Sequence, residues 1–383
     1  MTHTKLHSKI INKTVNSLKS KKLTKLGYGI FENTSSLNSV YIPEVTEIAS
    51  GAFANSAIKN ISAEKVIKIG SNAFYNCSYL TNICAPNVQE VETSIFSGCK
   101  NLKKISFPKL VNMPQYGFNG LSKLETINFD SIENVSQYGL GDTTNLKNIS
   151  LPKVRKIEQS GFNYSGIETL IAPELEEIES YAFNYTTSLK EIRMPKIKKI
   201  ASYSFSTEKS AFTIGSTPEL EEVGAYAFGN SSYNGGGLAG DLDMPKLTKL
   251  ADNSFYNMLI TSVSAAILTE IPQNAFNNCN ALKSISFPSV TTLGYNAIGY
   301  CANLTDVSLP ALTTAVDGYA LAQNPKLEKI NLPSAINLAE TTFYECTALT
   351  EIHFAAANRA TIEALSGYAS KFGADNATIY FDL

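Results

Sequence analysis

Apolar positions recur along this chain in one fixed frame. Counted on its most regular large residue, the frame runs Phe31, Phe53, Phe74, Phe96, Phe118, Leu140, Phe162, Phe183, Phe205, Phe228, Phe255, Phe276, Ile298, Leu321 and Phe343. The spacing is 21–23 residues, with one interval of 27 between Phe228 and Phe255. Between two such positions the smaller apolar slots are fixed too, as in Cys99, Leu102, Ile105, Phe107, Leu110 and Met113. Ile105-Ser106-Phe107 alternates in, out, in, which predicts a short strand. Pro108 follows at once, and proline recurs there as Pro43, Pro86, Pro152, Pro173, Pro195 and onward. Lacking an N–H and fixed in φ, it ends the strand and bends the chain. Self-similarity at this period predicts a repeat solenoid with a parallel β-sheet on one face and about 15 rungs of 21–23 residues, capped at both ends. A length of 383 residues therefore reflects added rungs and not several globular cores.

Three segments fall outside the tile. Residues 1–25 precede the first rung; Ile10, Ile11, Val15 and Leu18 stand at roughly helical spacing, which predicts a short amphipathic capping helix or else a partly disordered leader. Residues 26–355 form the solenoid, interrupted by GNSSYNGGGLAGD (229–241), whose glycines suit tight turns; the insertion reads as a surface bulge or as a ligand-contacting loop. In residues 356–383, Asn358 can cap a helix with Ile362, Leu365, Ala369 and Phe372 on one face, followed by a final strand in ATIYFDL (377–383).

The consensus L-x-x-I-x-(ILF)-P-x-(VL)-x-x-I-x-x-x-A-F-x-x-C-x-x-L is met almost slot for slot by LTNICAPNVQEVETSIFSGCKNL (80–102). It resembles the BspA-like leucine-rich repeats of bacterial surface proteins, over about residues 26–355. The resemblance implies a curved, right-handed solenoid, secreted or at the cell surface, that mediates adhesion or binding of host proteins and has no catalytic residues. The stretch before the first rung is basic but has no continuous apolar core, so no secretion signal is visible.

Charge and composition narrow the options. A net charge of −2 gives no reason to bind nucleic acid, and no apolar run is long enough to span a membrane. Cys77, Cys99, Cys279, Cys301 and Cys346 all stand three residues after a ladder position. Serine, threonine or methionine fills the same slot elsewhere, so these read as buried thiols. A disulfide between the adjacent rungs of Cys77 and Cys99, or of Cys279 and Cys301, is geometrically conceivable. Cys84, on the outer side of its strand, is the thiol expected to react. The three histidines, His3, His7 and His353, form no cluster with zinc spacing and serve no evident nucleophile. No catalytic residue, metal or cofactor is expected; carboxylates lie in repeat-periodic rows, where an active site would break the period. One such row alternates in sign: Arg155-Lys156, Glu176-Glu177, Lys198-Lys199, Glu221-Glu222, Thr248-Lys249. Stacked, it makes a self-neutralising rail.

Candidate binding residues are those that depart from the tile. The outward strand row is mostly serine but is broken by Ile171, Arg193 (with Glu191 beside it) and Asp243. The chain has 19 tyrosines and no tryptophan, and Tyr116, Tyr138, Tyr181, Tyr203, Tyr226 and Tyr319 each stand two residues before the ladder position. A ring with a hydroxyl suits protein interfaces and sugar stacking. The expectation is a non-enzymatic, monomeric binding protein of the cell surface or extracellular space. Its partner would be an extracellular-matrix or host protein, or a glycan. The alternatives are a spacer presenting another module and, less so, an enzyme with an unrecognised carboxylate site.

Overall fold

The computed structural model describes residues 5–6, 16–206, 210–229, 236–315 and 317–383. The chain is a parallel β-solenoid of about fifteen turns. It divides into two compact units, Met1–Arg193 and Met194–Leu383. Most turns in the first unit carry two strands; in the turn of Lys104–Ser106 the second is reduced to a single bridge between Asn112 and Asn134. A long ladder starts with Ser17–Lys19, Ser39–Tyr41, Asn60–Ser62, Asn82–Cys84, Lys104–Ser106 and Thr126–Asn128, which pair side by side in one parallel sheet. Asn148–Ser150, Thr169–Ile171 and Glu191–Arg193 make a second parallel sheet of the same kind. A short ladder of two-residue strands includes Lys25–Leu26, Glu47–Ile48, Lys68–Ile69 and Glu90–Val91. The second unit repeats the plan; its long strands include Gly237–Asp243, Leu259–Ser264, Ser284–Ser286 and Asp306–Ser308. Register runs slot to slot, so Ile83, Ile105 and Ile127 meet one another, as do Cys84, Ser106 and Asn128.

The ladder phenylalanines fill the interior. Phe31, Phe53 and Phe74 are fully buried and stacked with centroids 5.3 Å apart; Phe228, Phe255 and Phe276 repeat that spacing in the second unit. The ladder residue sits at a corner built by an unexpected device. The residues two before and two after it hold left-handed backbone: Gly51 and Asn55 around Phe53, Asn72 and Asn76 around Phe74, Asn274 and Asn278 around Phe276. Such φ values point alternate amides toward the next turn. Thus Tyr116, Phe118 and Gly120 donate to the carbonyls of Gln137, Gly139 and Gly141 at 3.0–3.1 Å. The corner becomes a third hydrogen-bonded ladder, and its buried backbone is satisfied.

Three expectations need correction. Leu18 of the expected N-terminal helix lies in the strand Ser17–Lys19, paired with Ser39–Tyr41; Ile10, Ile11 and Val15 lie outside the described residues. Within the 229–241 insertion, residues 230–235 are not described, and Gly237–Asp241 extends a seven-residue strand instead of looping out. Leu238 is buried there, and the pairing shifts between Gly240 and Asp241. In the C-terminal segment the helix is only Arg359–Glu363, followed by 3-10 turns. The Asn358 side chain does not cap it but donates to the carbonyls of Pro333 and Ala335. Ile362 and Phe372 are nonetheless buried, and Thr378–Phe381 closes the long ladder beside Glu351–Phe354.

The charged rail forms on the short ladder. Arg155 meets Glu176 at 2.6 Å and Lys156 meets Glu177 at 3.4 Å and Glu179 at 2.6 Å. In the second unit Glu222 lies between Lys199 (3.5 Å) and Lys249 (2.6 Å), whose cations hold its carboxyl below the usual range. Single charges do the same earlier on the short ladder: Lys25–Glu47 at 2.7 Å and Lys68–Glu90 at 2.6 Å. Reversing Glu176 and Glu177 to lysine sets like charges against Arg155 and Lys156. The melting temperature is expected to fall at low salt and to recover at high salt, where exposed charges are screened. An unchanged melting temperature at low salt would show that the rail contributes nothing.

Candidate functional site

The outward row of the long ladder forms as its residues suggest. Lys19, Tyr41, Ser62, Cys84, Ser106 and Asn128 lie in successive register, and Ser150, Ile171 and Arg193 continue the row in the next sheet. Ile171 is 40 % exposed and pairs directly with Arg193. The Arg193 guanidinium is already engaged: its Nε donates to Glu191 Oε1 at 2.6 Å, which pushes its pKa upward. Asp243 belongs to the second unit, where Ser264 Oγ donates to its carboxylate at 2.6 Å. The row is interrupted in the turn after Arg193, whose strand is Ala211–Phe212; Gly215 lies beyond it at φ +67°.

The tyrosines occupy the left-handed corner positions. Tyr116, Tyr138 and Tyr181 have φ of 54°, 52° and 60°. In the second unit Tyr203, Tyr226 and Tyr319 have 60°, 51° and 51°. Tyr164 and Tyr185, not singled out from sequence, take the second left-handed position, two residues after the ladder. Their rings pair: Tyr116 on Tyr138 at 4.9 Å, Tyr164 on Tyr185 at 4.5 Å, and in the second unit Tyr203 on Tyr226 at 5.3 Å, all within 9° of parallel. Tyr116, Tyr164, Tyr181 and Tyr185 are among the exposed large side chains. Desolvation, and then the neighbouring Tyr185, pushes the Tyr164 phenol up. A side chain with a Cβ pays about 1–2 kcal/mol for this backbone, and asparagine or glycine holds the equivalent place in many turns.

The remaining chemistry is structural. The Cys-x-x-Leu slot is buried, and its cysteines donate across to the ladder carbonyl of the preceding turn. Cys77 Sγ reaches Phe53 O and Cys99 Sγ reaches Phe74 O, both at 3.0 Å; Cys279 Sγ reaches Phe255 O at 3.1 Å. Thr186 does so with its hydroxyl toward Phe162 O. Burial pushes the Cys279 thiol up to about 12 and the Cys346 thiol to about 11, whereas Cys84 is exposed. An aromatic disulfide reagent should therefore modify one of the six thiols rapidly in the folded chain, and Cys84→Ser should abolish that fast phase. A second fast thiol would contradict the buried slot.

His353 is buried against the C-terminal strand. Its Nδ1 lies 2.7 Å from Asp382 Oδ1, its Nε2 lies 3.1 Å from Glu351 Oε2, and its ring stacks on Tyr380 at 4.7 Å. Among the described residues no group of three or more His, Cys, Asp or Glu is arranged to hold a metal ion. No helix among them is long and apolar enough to cross a membrane.

Fold and site together define a leucine-rich-repeat solenoid, a class generally non-catalytic and generally protein-binding. The family model described as "BspA type Leucine rich repeat region (6 copies)" matches residues 7–113, 68–190, 111–234 and 248–368, and the chain belongs to that family. Among solved structures, a leucine-rich repeat protein from Bacteroides ovatus ATCC 8483 is similar over 94 % of this chain and 88 % of its own, with 20 % identity and a TM-score of 0.58. A leucine rich cell surface protein from Faecalibacterium prausnitzii A2-165 aligns over 95 % and 92 % of the two chains, with 22 % identity and a TM-score of 0.39. No curated protein sequence matches significantly.

Proposed function

We propose that this chain is a recognition solenoid displayed outside a bacterial cell, which binds a protein of a host or matrix surface through its tyrosine row. One observation carries the reading: the exposed, stacked tyrosines of the first unit hold left-handed backbone where asparagine or glycine would be less strained. The fold asks for the backbone, and the ring is extra. Strained residues that persist without a folding reason point to function. Paired phenol rings are rigid, amphipathic and low in conformational entropy, the properties of interface anchors. The corner ladder fixes them before binding, so little ordering cost remains. Ile171 and Arg193, on the strand face, are subsidiary contacts, as is Asp243 in the second unit.

The test replaces Tyr116, Tyr138, Tyr164, Tyr181 and Tyr185 together by asparagine. The chain should stay folded, with a melting temperature unchanged or raised. Its binding to a panel of extracellular-matrix proteins should weaken at least about tenfold, the equivalent of about 1.4 kcal/mol. Lost stability with intact binding would assign the tyrosines to the fold. A wild-type chain that binds no protein on the panel, on the tyrosine row or elsewhere, would favour the spacer.

A further inference from the structure

The long ladder of the first unit presents a second surface, opposite in character to the rail. Across its six-strand sheet the outward residues are Ser17 and Lys19, Ser39 and Tyr41, Asn60 and Ser62, Asn82 and Cys84, Lys104 and Ser106, Thr126 and Asn128. That face has hydroxyls, amides and two lysines, and not one carboxylate. Elsewhere in this unit lysines meet glutamates of neighbouring turns, as in Lys65–Glu44 at 2.7 Å and Lys103–Glu125 at 2.9 Å. Lys19, Lys21 and Lys22 have no acidic partner among the described residues. The local sequence explains why: the first 26 residues hold seven lysines and no Asp or Glu, in a chain of net charge −2. Where the lysines meet the sheet there is a hollow of about 690 Å³, lined by Lys19, Lys21, Ser39, Tyr41, Asn60 and Ser62.

We propose that this face binds an acidic glycan, a polysaccharide carrying carboxylate or sulfate groups, with the hollow at Tyr41 as its anchoring subsite. Each feature of the surface has a counterpart in that ligand. The Tyr41 ring, 37 % exposed, offers an apolar platform to the C–H face of a sugar ring. Ser39, Asn60 and Ser62 supply donors and acceptors for its hydroxyls. Lys19 and Lys21 supply unpaired cations for its acid group. Lys104 stands four strands further along the sheet, about 19 Å away at strand spacing, so a linear chain lying across the strands meets hydroxyls on the way and a second cation beyond. Folded protein partners favour apolar interface cores, which this face lacks. The glycan site is separate from the tyrosine row and does not depend on it.

The experiment measures binding of the full chain to three soluble probes: a heparin oligosaccharide, a polygalacturonate oligosaccharide and uncharged dextran. Both acidic probes should bind, the sulfated and carboxylated arms ranking the two acid groups, and dextran should not. Binding should weaken as salt is raised. Lys19→Ala combined with Lys21→Ala should cost at least about tenfold in affinity, and Tyr41→Ser alone about fivefold. The control pair Lys100→Ala and Lys153→Ala, exposed lysines off this face, should leave affinity unchanged. The tyrosine-row variant should bind the glycan normally, which keeps the two proposals distinguishable. All substituted side chains are exposed, so folding should survive, as circular dichroism would verify. The proposal is overturned if neither acidic probe binds, if dextran binds as well, or if the control pair weakens binding equally. Preference for phosphatidylserine vesicles or single-stranded DNA over both glycans would likewise overturn it.

Discussion

Phe53→Ala is expected to destabilise the first unit by about 3–5 kcal/mol, read as a drop in the urea midpoint of that unit. Phe53 has no exposed surface and lies between Phe31 and Phe74, with ring centroids 5.3 Å away on each side. Removing the ring opens a cavity whose walls are two more phenylalanines in rigid corners. Each corner is held by backbone bonds to the next turn, Phe31 to Ala52 and Phe53 to Ala73, both at 2.8 Å. The walls therefore cannot close on the void. A solenoid turn contacts only its neighbours, so no distant packing shares the loss. Phe53→Leu should cost far less. The chain itself carries Leu140, Ile298 and Leu321 in this row; the first two have a phenylalanine, Phe129 or Phe287, just after the same turn's strand, and the third has Leu309. At Leu140 that phenylalanine packs 4.9 Å from Phe118 and restores volume. If Phe53→Ala lost less than about 1 kcal/mol, the interior would have to be far more pliable than native packing allows.

How legible this structure was depends on which rule each residue obeys. The phenylalanine row, the strand triplets and the prolines follow the hydrophobic frame, and register added nothing to what the repeat already implied. The corner positions escaped because their rule is conformational. Gly29, Asn33, Gly51, Asn55, Asn72 and Asn76 advertise left-handed backbone in the first turns. Tyr116, Tyr138 and Tyr164 then take the same places without advertising it, so the tyrosines were noticed for their number and not for their strain. The insertion misled for the converse reason. Two of its glycines have positive φ, 117° at Gly237 and 96° at Gly240, yet they serve a bulged strand whose Leu238 is drawn into the core. At the N-terminal end, helical spacing lost to an available partner: Leu18 pairs with Val40 in a sheet, and that tertiary pairing outweighs weak local propensity. The rail is plain in the sequence only where charges come doubled, from Arg155 to Lys249; its single-charge copy at Lys25, Glu47, Lys68 and Glu90 shows only once the register is known.

The slot three residues after the ladder position looks in the sequence like a place for a small apolar thiol, but its side chains also make hydrogen bonds, with a measurable consequence. In many turns the slot holds a hydrogen-bond donor, although Leu121 and Met258 fill it without one. Where cysteine and threonine give one, Asn324 gives two: Nδ2 donates to Ile298 O at 2.9 Å and to Leu321 O at 2.7 Å, while Oδ1 accepts from the Cys301 amide at 3.0 Å. Asn324 is fully buried. Asn324→Leu keeps the volume close but strands the Cys301 N–H and the Ile298 carbonyl, whereas the Leu321 carbonyl retains the Cys346 thiol at 3.1 Å. Each stranded buried group costs about 1–3 kcal/mol, so the expected loss in the second unit is about 2–4 kcal/mol by urea unfolding. Asn324→Thr should recover part of it, since Thr186 reaches the Phe162 carbonyl from the same slot at 3.1 Å, though the Cys301 amide stays unpaired. Cys346→Thr, which preserves the single donor, should be nearly neutral, and Cys346→Val should not be. That ordering separates the two accounts: a slot selected for apolar bulk ranks valine above threonine, and a slot selected for its donor ranks threonine above valine.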